Sequence, residues 1–189
     1  EETEYMLGIA DASPRVAGVV GWIDFEDPSH AHHLRRLAKH PKFLGVRPMI
    51  QDIPDVDWML RKDIQWAYEL IIECDLTFDA LGFPRHLENF LTLLLRYPNM
   101  RVVIDHCMKP QLRTHSKDSF SNWASGMTQL AEKTAAFCKL SGLVTNMPKL
   151  LAIFPSRLKK CWRIVCIPDN APKNHRLLKT GGNYKINLS

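Results

Sequence analysis

The chain has 189 residues, 46% of them hydrophobic, with five Trp and eight Phe. That content supports a sizeable core and excludes a disordered polypeptide. No apolar run reaches the roughly 18 residues of a membrane span and no signal-peptide pattern opens the chain; five cysteines with no CxxC pair point to reduced thiols and a cytoplasmic setting.

The net charge of +5 is unevenly spread. Residues 1–145 carry 16 Lys+Arg against 19 Asp+Glu, a net −3, whereas residues 146–189 carry nine Lys+Arg and one acid, Asp169, a net +8. A boundary is therefore expected after Thr145, between an ordered body (1–145) and a basic, proline-interrupted tail (146–189) of poor order and unrelated origin.

In chain order, residues 16–24 are apolar and β-branched enough for a buried strand. Asp27, Pro28 and Ser29 then read as a helix start, with the helix running through Leu34 and Leu37 to about 39. Residues 43–50 form the next strand, with Pro48 ending its ladder pairing. Helical periodicity follows over 57–74. Residues 76–81 are strand-like, and Pro84 opens a helix over 85–97. Residues 101–105 form the fourth strand, 119–133 a helix and 136–141 the fifth strand. Strands beginning near 16, 43, 76, 101 and 136 recur at about the length of a βαβ unit. Both a (β/α)8 barrel and a doubly wound sheet have this alternation, and no GxGxxG or P-loop favours a nucleotide site.

Parallel α/β enzymes build active sites where buried strands end, and residues 101–110 (RVVIDHCMKP) fit that description. His106 suits polarising a carbonyl or ligating a metal; the plain alternative is a core histidine bonded to backbone. Asp105, on the other strand face, reads as a structural partner. Arg47 and Gln51 after the second strand, and Arg85 and His86 at a helix start, suit hydrogen bonds to hydroxyls or to a developing carboxylate, against a plain surface role. Asp79 inside an apolar strand needs a partner, either substrate or an ion pair. Lys139 and Ser141 share a strand face; Asp24 and Lys109 stand at strand ends. His30, His32 and His33 imitate a metal-binding His-x-His, but on a helix i and i+2 diverge, so a solvated helix face is expected.

Five segments recur together in register: Gly21-Trp22-Ile23-Asp24, Gly45-Val46-Arg47-Pro48-Met49-Ile50-Gln51, Phe78-Asp79-Ala80-Leu81 with Pro84-Arg85-His86, Ile104-Asp105-His106 with Lys109-Pro110, and Cys138-Lys139-Leu140-Ser141-Gly142. With them, residues 1–145 resemble the amidohydrolase-related family of sugar lactonases, the group of L-fuconolactonase-like and L-rhamnonolactonase-like enzymes. More distantly they resemble 2-pyrone-4,6-dicarboxylate lactonases. The resemblance implies a TIM (β/α)8 barrel, here incomplete and holding about strands 2 to 6. It implies hydrolysis of a lactone to the open hydroxy acid, either without a cofactor or with one divalent metal such as Zn.

The family's site uses a His-x-His pair on strand 1, a histidine on strand 5 and an aspartate on strand 8. By this matching His106 is the strand-5 histidine, the catalytic candidate and the metal ligand if one is used, and the other central groups fall outside the matched segments. The expectation is a lactonase-like hydrolase acting on a sugar lactone or related carboxylic substrate, impaired as this chain alone. The alternatives are an inactive remnant that binds a partner or a sugar acid, and a basic tail that binds a membrane surface or nucleic acid; an oligomer is compatible with each. Nucleic acid is not the expected partner.

Overall fold

In a computed structural model of the chain, the described residues are 1–111, 116–141 and 163–165. Their order is α1 (Glu2–Ala12), β1 (Val19–Gly21), α2 (His30–Leu37), β2 (Phe43–Val46), α3 (Gln65–Glu73), β3 (Thr77–Ala80), α4 (Leu87–Arg96), β4 (Arg101–Ile104), α5 (Lys117–Lys133), β5 (Phe137–Lys139) and β6 (Arg163–Val165). Short 3-10 turns at Ile50–Asp52, Trp58–Leu60, Lys62–Ile64 and Pro84–His86 fill the connections.

All neighbouring strands pair in parallel, and their spatial order is the chain order, β1 to β6. A doubly wound sheet reverses its order at a switch point; this sheet does not among the described strands. Sequential parallel order is the arrangement of a barrel wall. β6 pairs with β5 through Phe137–Arg163, Cys138–Ile164 and Lys139–Val165. The sheet thus reaches into the segment that charge composition sets apart after Thr145.

Three features depart from the sequence reading. α1 was not anticipated: it buries Thr3, Leu7 and Ala10 at helical spacing, but Gly8 and a weak apolar stripe hide it. The helix expected over 57–74 is two 3-10 turns followed by α3, because Arg61 takes ψ 142 and breaks the run. The first strand is only three residues long.

Thr3 ties α1 to the sheet. Its hydroxyl donates to the Trp22 carbonyl (3.2 Å) and accepts from the Trp22 N–H (3.0 Å), so two backbone groups just beyond β1 are satisfied by one side chain. Behind the sheet, α3 buries Ala67, Tyr68, Leu70 and Ile71, α4 buries Leu87, Phe90, Leu93 and Leu94, and α5 buries Trp123, Met127 and Leu130. These pack with Val46, Phe78 and Ile104 into one apolar cluster. Among the described residues, no helix is long and apolar enough to cross a membrane, and Cys74, Cys107 and Cys138 are free thiols.

Candidate active site

Because the strands run parallel, Arg47, Gln51, Asp79, Asp105, His106, Lys109, Lys139 and Ser141 all lie toward or just beyond carboxyl ends of β2 to β5. After Ile104 the chain turns left-handed. His106 (φ 50), Cys107 (φ 50), Met108 (φ 58) and Lys109 (φ 48) are four consecutive non-glycine residues at positive φ, a conformation costing roughly 1–2 kcal/mol per residue. Such strain persists where the surroundings over-determine it. Here the Trp123 indole N–H donates to the Cys107 carbonyl at 2.8 Å, and the Lys109 N–H to the His106 carbonyl at 2.8 Å. The Cys107 thiol reaches the Lys139 carbonyl at 3.6 Å, and Cys107 and Met108 are fully buried.

A charge cluster lies beside this turn. Lys139 Nζ stands 2.5 Å from Asp79 Oδ2 and 2.7 Å from Asp105 Oδ1, bridging the ends of β3 and β4 from β5. Arg47 Nη1 is 3.6 Å from Asp105 Oδ2. Both carboxylates are buried; Lys139 balances them from within the cluster and the partly exposed Arg47 from its edge. Burial, then repulsion from Asp105, raises the Asp79 carboxyl above its ordinary range despite Lys139. Burial pulls the Lys139 ammonium down, but Asp79 and Asp105 outweigh it and the net shift is upward.

His106 Nδ1 is 2.9 Å from Ser141 Oγ. Burial lowers its pKa; Asp105 opposes this, while Lys109, Lys139 and Arg47 reinforce it. The shift favours the neutral imidazole, and with Nδ1 engaged by the hydroxyl, Nε2 remains for a reacting group.

The other sequence candidates are placed as follows. Gln51 accepts from Lys109 Nζ through Oε1 and from Arg85 Nη2 through its backbone carbonyl at 3.0 Å. The Arg85 guanidinium carbon lies 4.9 Å, and Lys109 Nζ 5.6 Å, from the Phe83 ring centroid. His86 is fully buried; its Nδ1 accepts from the Phe83 N–H at 3.0 Å, which makes it a brace for the β3–α4 turn. Asp24 forms a local turn, accepting from the Glu26 N–H at 2.8 Å, and its own N–H donates to His30 Nδ1 at 3.0 Å. His30 is thus half-buried and engaged, which corrects the solvated face expected for it. The tail residues Arg157, Lys159 and Lys160 lie outside the described residues.

Sequence reasoning did not single out Phe83 or Trp123. Their roles rest on contacts with Arg85, Lys109 and Cys107 that no local spacing encodes.

The Amidohydrolase family profile matches residues 1–174. The chain belongs to the amidohydrolase family. It is 40% identical over 158 residues to an L-fucono-1,5-lactonase of Burkholderia ambifaria, covering 82% of this chain and 53% of that protein. It is 31% identical over 153 residues to an L-fucono-1,5-lactonase of Burkholderia multivorans, covering 77% and 50%. The chain thus spans about half the length of these relatives. Among solved structures, an amidohydrolase from Burkholderia multivorans with bound HEPES superposes with a TM-score of 0.72 at 28% identity, over 85% of this chain and 57% of that one. A second crystal form of it, with bound zinc, gives 0.70 at 30% identity over the same shares. The amidohydrolase match extends well past Thr145, further than the sequence motifs reach.

In this amidohydrolase chain, no group of three or more His, Cys, Asp or Glu among the described residues is placed to hold a metal. The Lys139 ammonium stands where a cation would meet Asp79 and Asp105. The described residues do not fit a resident metal.

Proposed function

We propose that this chain carries part of the active site of a sugar lactonase, hydrolysing the C–O ester bond of a cyclic sugar ester to the open hydroxy acid. The observation that carries the reading is His106, a neutral imidazole on a strained turn at a strand end, with Arg47, Lys109 and Lys139 around it. The 40% identical L-fucono-1,5-lactonase supplies the substrate class.

In such a reaction a water oxygen bonds to the carbonyl carbon, negative charge develops on the carbonyl oxygen, and the ring C–O bond breaks as the ring oxygen takes a proton. His106 Nε2 serves as the hydrogen-bond partner of the developing oxyanion, and the nearby cations favour charge there. Asp79 and Asp105 are held by Lys139, so neither is a free base for the water. On this reading the 189-residue chain alone turns over lactones slowly or not at all. The engaged carboxylates also favour a second reading, a binding protein that keeps the sugar site without catalysis.

The test is hydrolysis of a panel of sugar 1,5-lactones by the purified chain and by His106→Asn, each checked for a cooperative melt. Slow turnover lost in His106→Asn supports the lactonase reading. Binding of sugar acids with no turnover supports the second. Turnover at ordinary enzyme rates, indifferent to His106, overturns both the assignment and the impairment.

A further inference from the structure

A cavity of about 270 Å³ opens between the β3–α4 and β4–α5 connections, lined by Phe83, Pro84, Arg85, Pro110, Phe120 and Trp123 among others. By the ~30 Å³ that one water occupies in the liquid, it holds roughly nine water-sized volumes, the bulk of a small organic molecule. Its walls are aromatic and prolyl, and two cations lie near the ring of Phe83. Arg85 lines the cavity and lies over the Phe83 ring, and Lys109 approaches the same ring. Gln51 holds both, through its backbone carbonyl and its side-chain oxygen.

Neither cation has a carboxylate within 4 Å among the described residues, whereas Arg47, Arg61 and Lys139 are all ion-paired. An arginine lining an apolar hollow, with a lysine near the same aromatic ring, suits an anionic group carried on an apolar body. A bare inorganic anion leaves the hollow empty, and a neutral apolar molecule leaves the cations unmatched. Ser119, in the first turn of α5, brings the positive end of that helix to the same wall.

We propose that this cavity binds a small organic carboxylate with a flat apolar body, its carboxylate held by Arg85 and Lys109 and its body against Phe83, Phe120 and Trp123. The site shares Lys109 with the proposed lactonase site but requires no turnover, so its binding test is read separately from lactone hydrolysis. Gln51 presets the two donors, and Trp123 couples the cavity wall to the turn that carries His106.

Benzoate and its uncharged counterpart benzamide test the proposal, titrated into the chain and followed by intrinsic tryptophan fluorescence and by calorimetry. Benzoate is expected to saturate and benzamide to bind at least about tenfold more weakly, the scale of one charge-assisted hydrogen bond. Arg85→Met and Lys109→Met, with folding checked by near-UV circular dichroism, should each weaken benzoate about tenfold and leave benzamide unchanged. Equal binding of the two probes, benzoate binding indifferent to both substitutions, or no saturable binding would overturn the proposal.

Discussion

Lys139 on β5 reaches past β4 to Asp79 on β3, with Nζ 2.5 Å from Oδ2, and the same ammonium lies 2.7 Å from Asp105. One side chain thus ties three consecutive strands at their carboxyl ends. Its removal leaves two buried acids facing each other with only the more distant Arg47. Lys139→Met is expected to destabilise the chain by about 3–5 kcal/mol, the cost of breaking a buried pair from one side. Adding Asp79→Asn should return a large part of that loss. Urea unfolding of the single and double variants measures both, and a loss below about 1 kcal/mol would mean that water already reaches the cluster.

Stability should fall on acidification through histidine. His106, His86 and His33 all have folded-state pKa values below the ordinary 6.5, in each case with burial as the largest cause. A depressed folded value means that the unfolded chain takes up the proton first. The contribution is therefore complete above pH 6.5 and is lost as pH falls through the lower folded values. Asp79 acts with the opposite sign: its raised value gives stability at acid pH that is lost as pH rises from 3.8 through the folded value. Urea midpoints between pH 7.5 and 5.5 should drop, and the drop should be smaller in His86→Gln. An unchanged pH profile in that variant would show His86 to be solvated.

Trp123 holds the strained turn. Trp123→Phe keeps most of the ring but removes the N–H donated to the Cys107 carbonyl. The orphaned buried carbonyl costs about 1–3 kcal/mol. Beyond stability, the His106 imidazole should move toward its ordinary pKa as the turn relaxes, which NMR titration of its ring protons reads directly. Loss of stability with no change at His106 would confine Trp123 to packing.

Two glycines should respond in opposite ways to alanine. A Cβ at Gly45 would meet the Thr77 carbonyl oxygen at 2.3 Å, a backbone atom of the neighbouring strand, so Gly45→Ala should force β2 and β3 apart at a cost of about 1–3 kcal/mol or more. At Gly8, inside α1, a Cβ meets nothing within 4 Å. Gly8→Ala should stabilise by roughly 0.5–1 kcal/mol through helix propensity. Thermal melts of the two variants, shifted in opposite directions, check both.

Much of the architecture was legible because its signals are short-range. Alternating β-branched runs and 3.6-residue periodicities located four of the five described helices and the strands up to β5, and Pro48 and Pro84 marked turns where the structure has them. α1 escaped because Gly8 and its weak apolar stripe blur the period. The break at Arg61 escaped because a single extended ψ leaves no compositional trace. β6 escaped because its flanking prolines and basic charge outweighed three residues of strand.

The sequence by itself determined the alternation of strand and helix, the family resemblance, and that His106 would end a buried strand. Those follow from residue type and spacing over a few positions. Only the tertiary structure decided between sequential and reversed strand order, and only it brought Lys139 to Asp79 across 60 residues, Arg85 to Gln51, and Trp123 to Cys107. It also turned His86 into a buried brace and Phe83 into a cation-bearing wall. Such pairings depend on which strands lie side by side and in what register, and that is a property of the packed sheet rather than of any local stretch of chain.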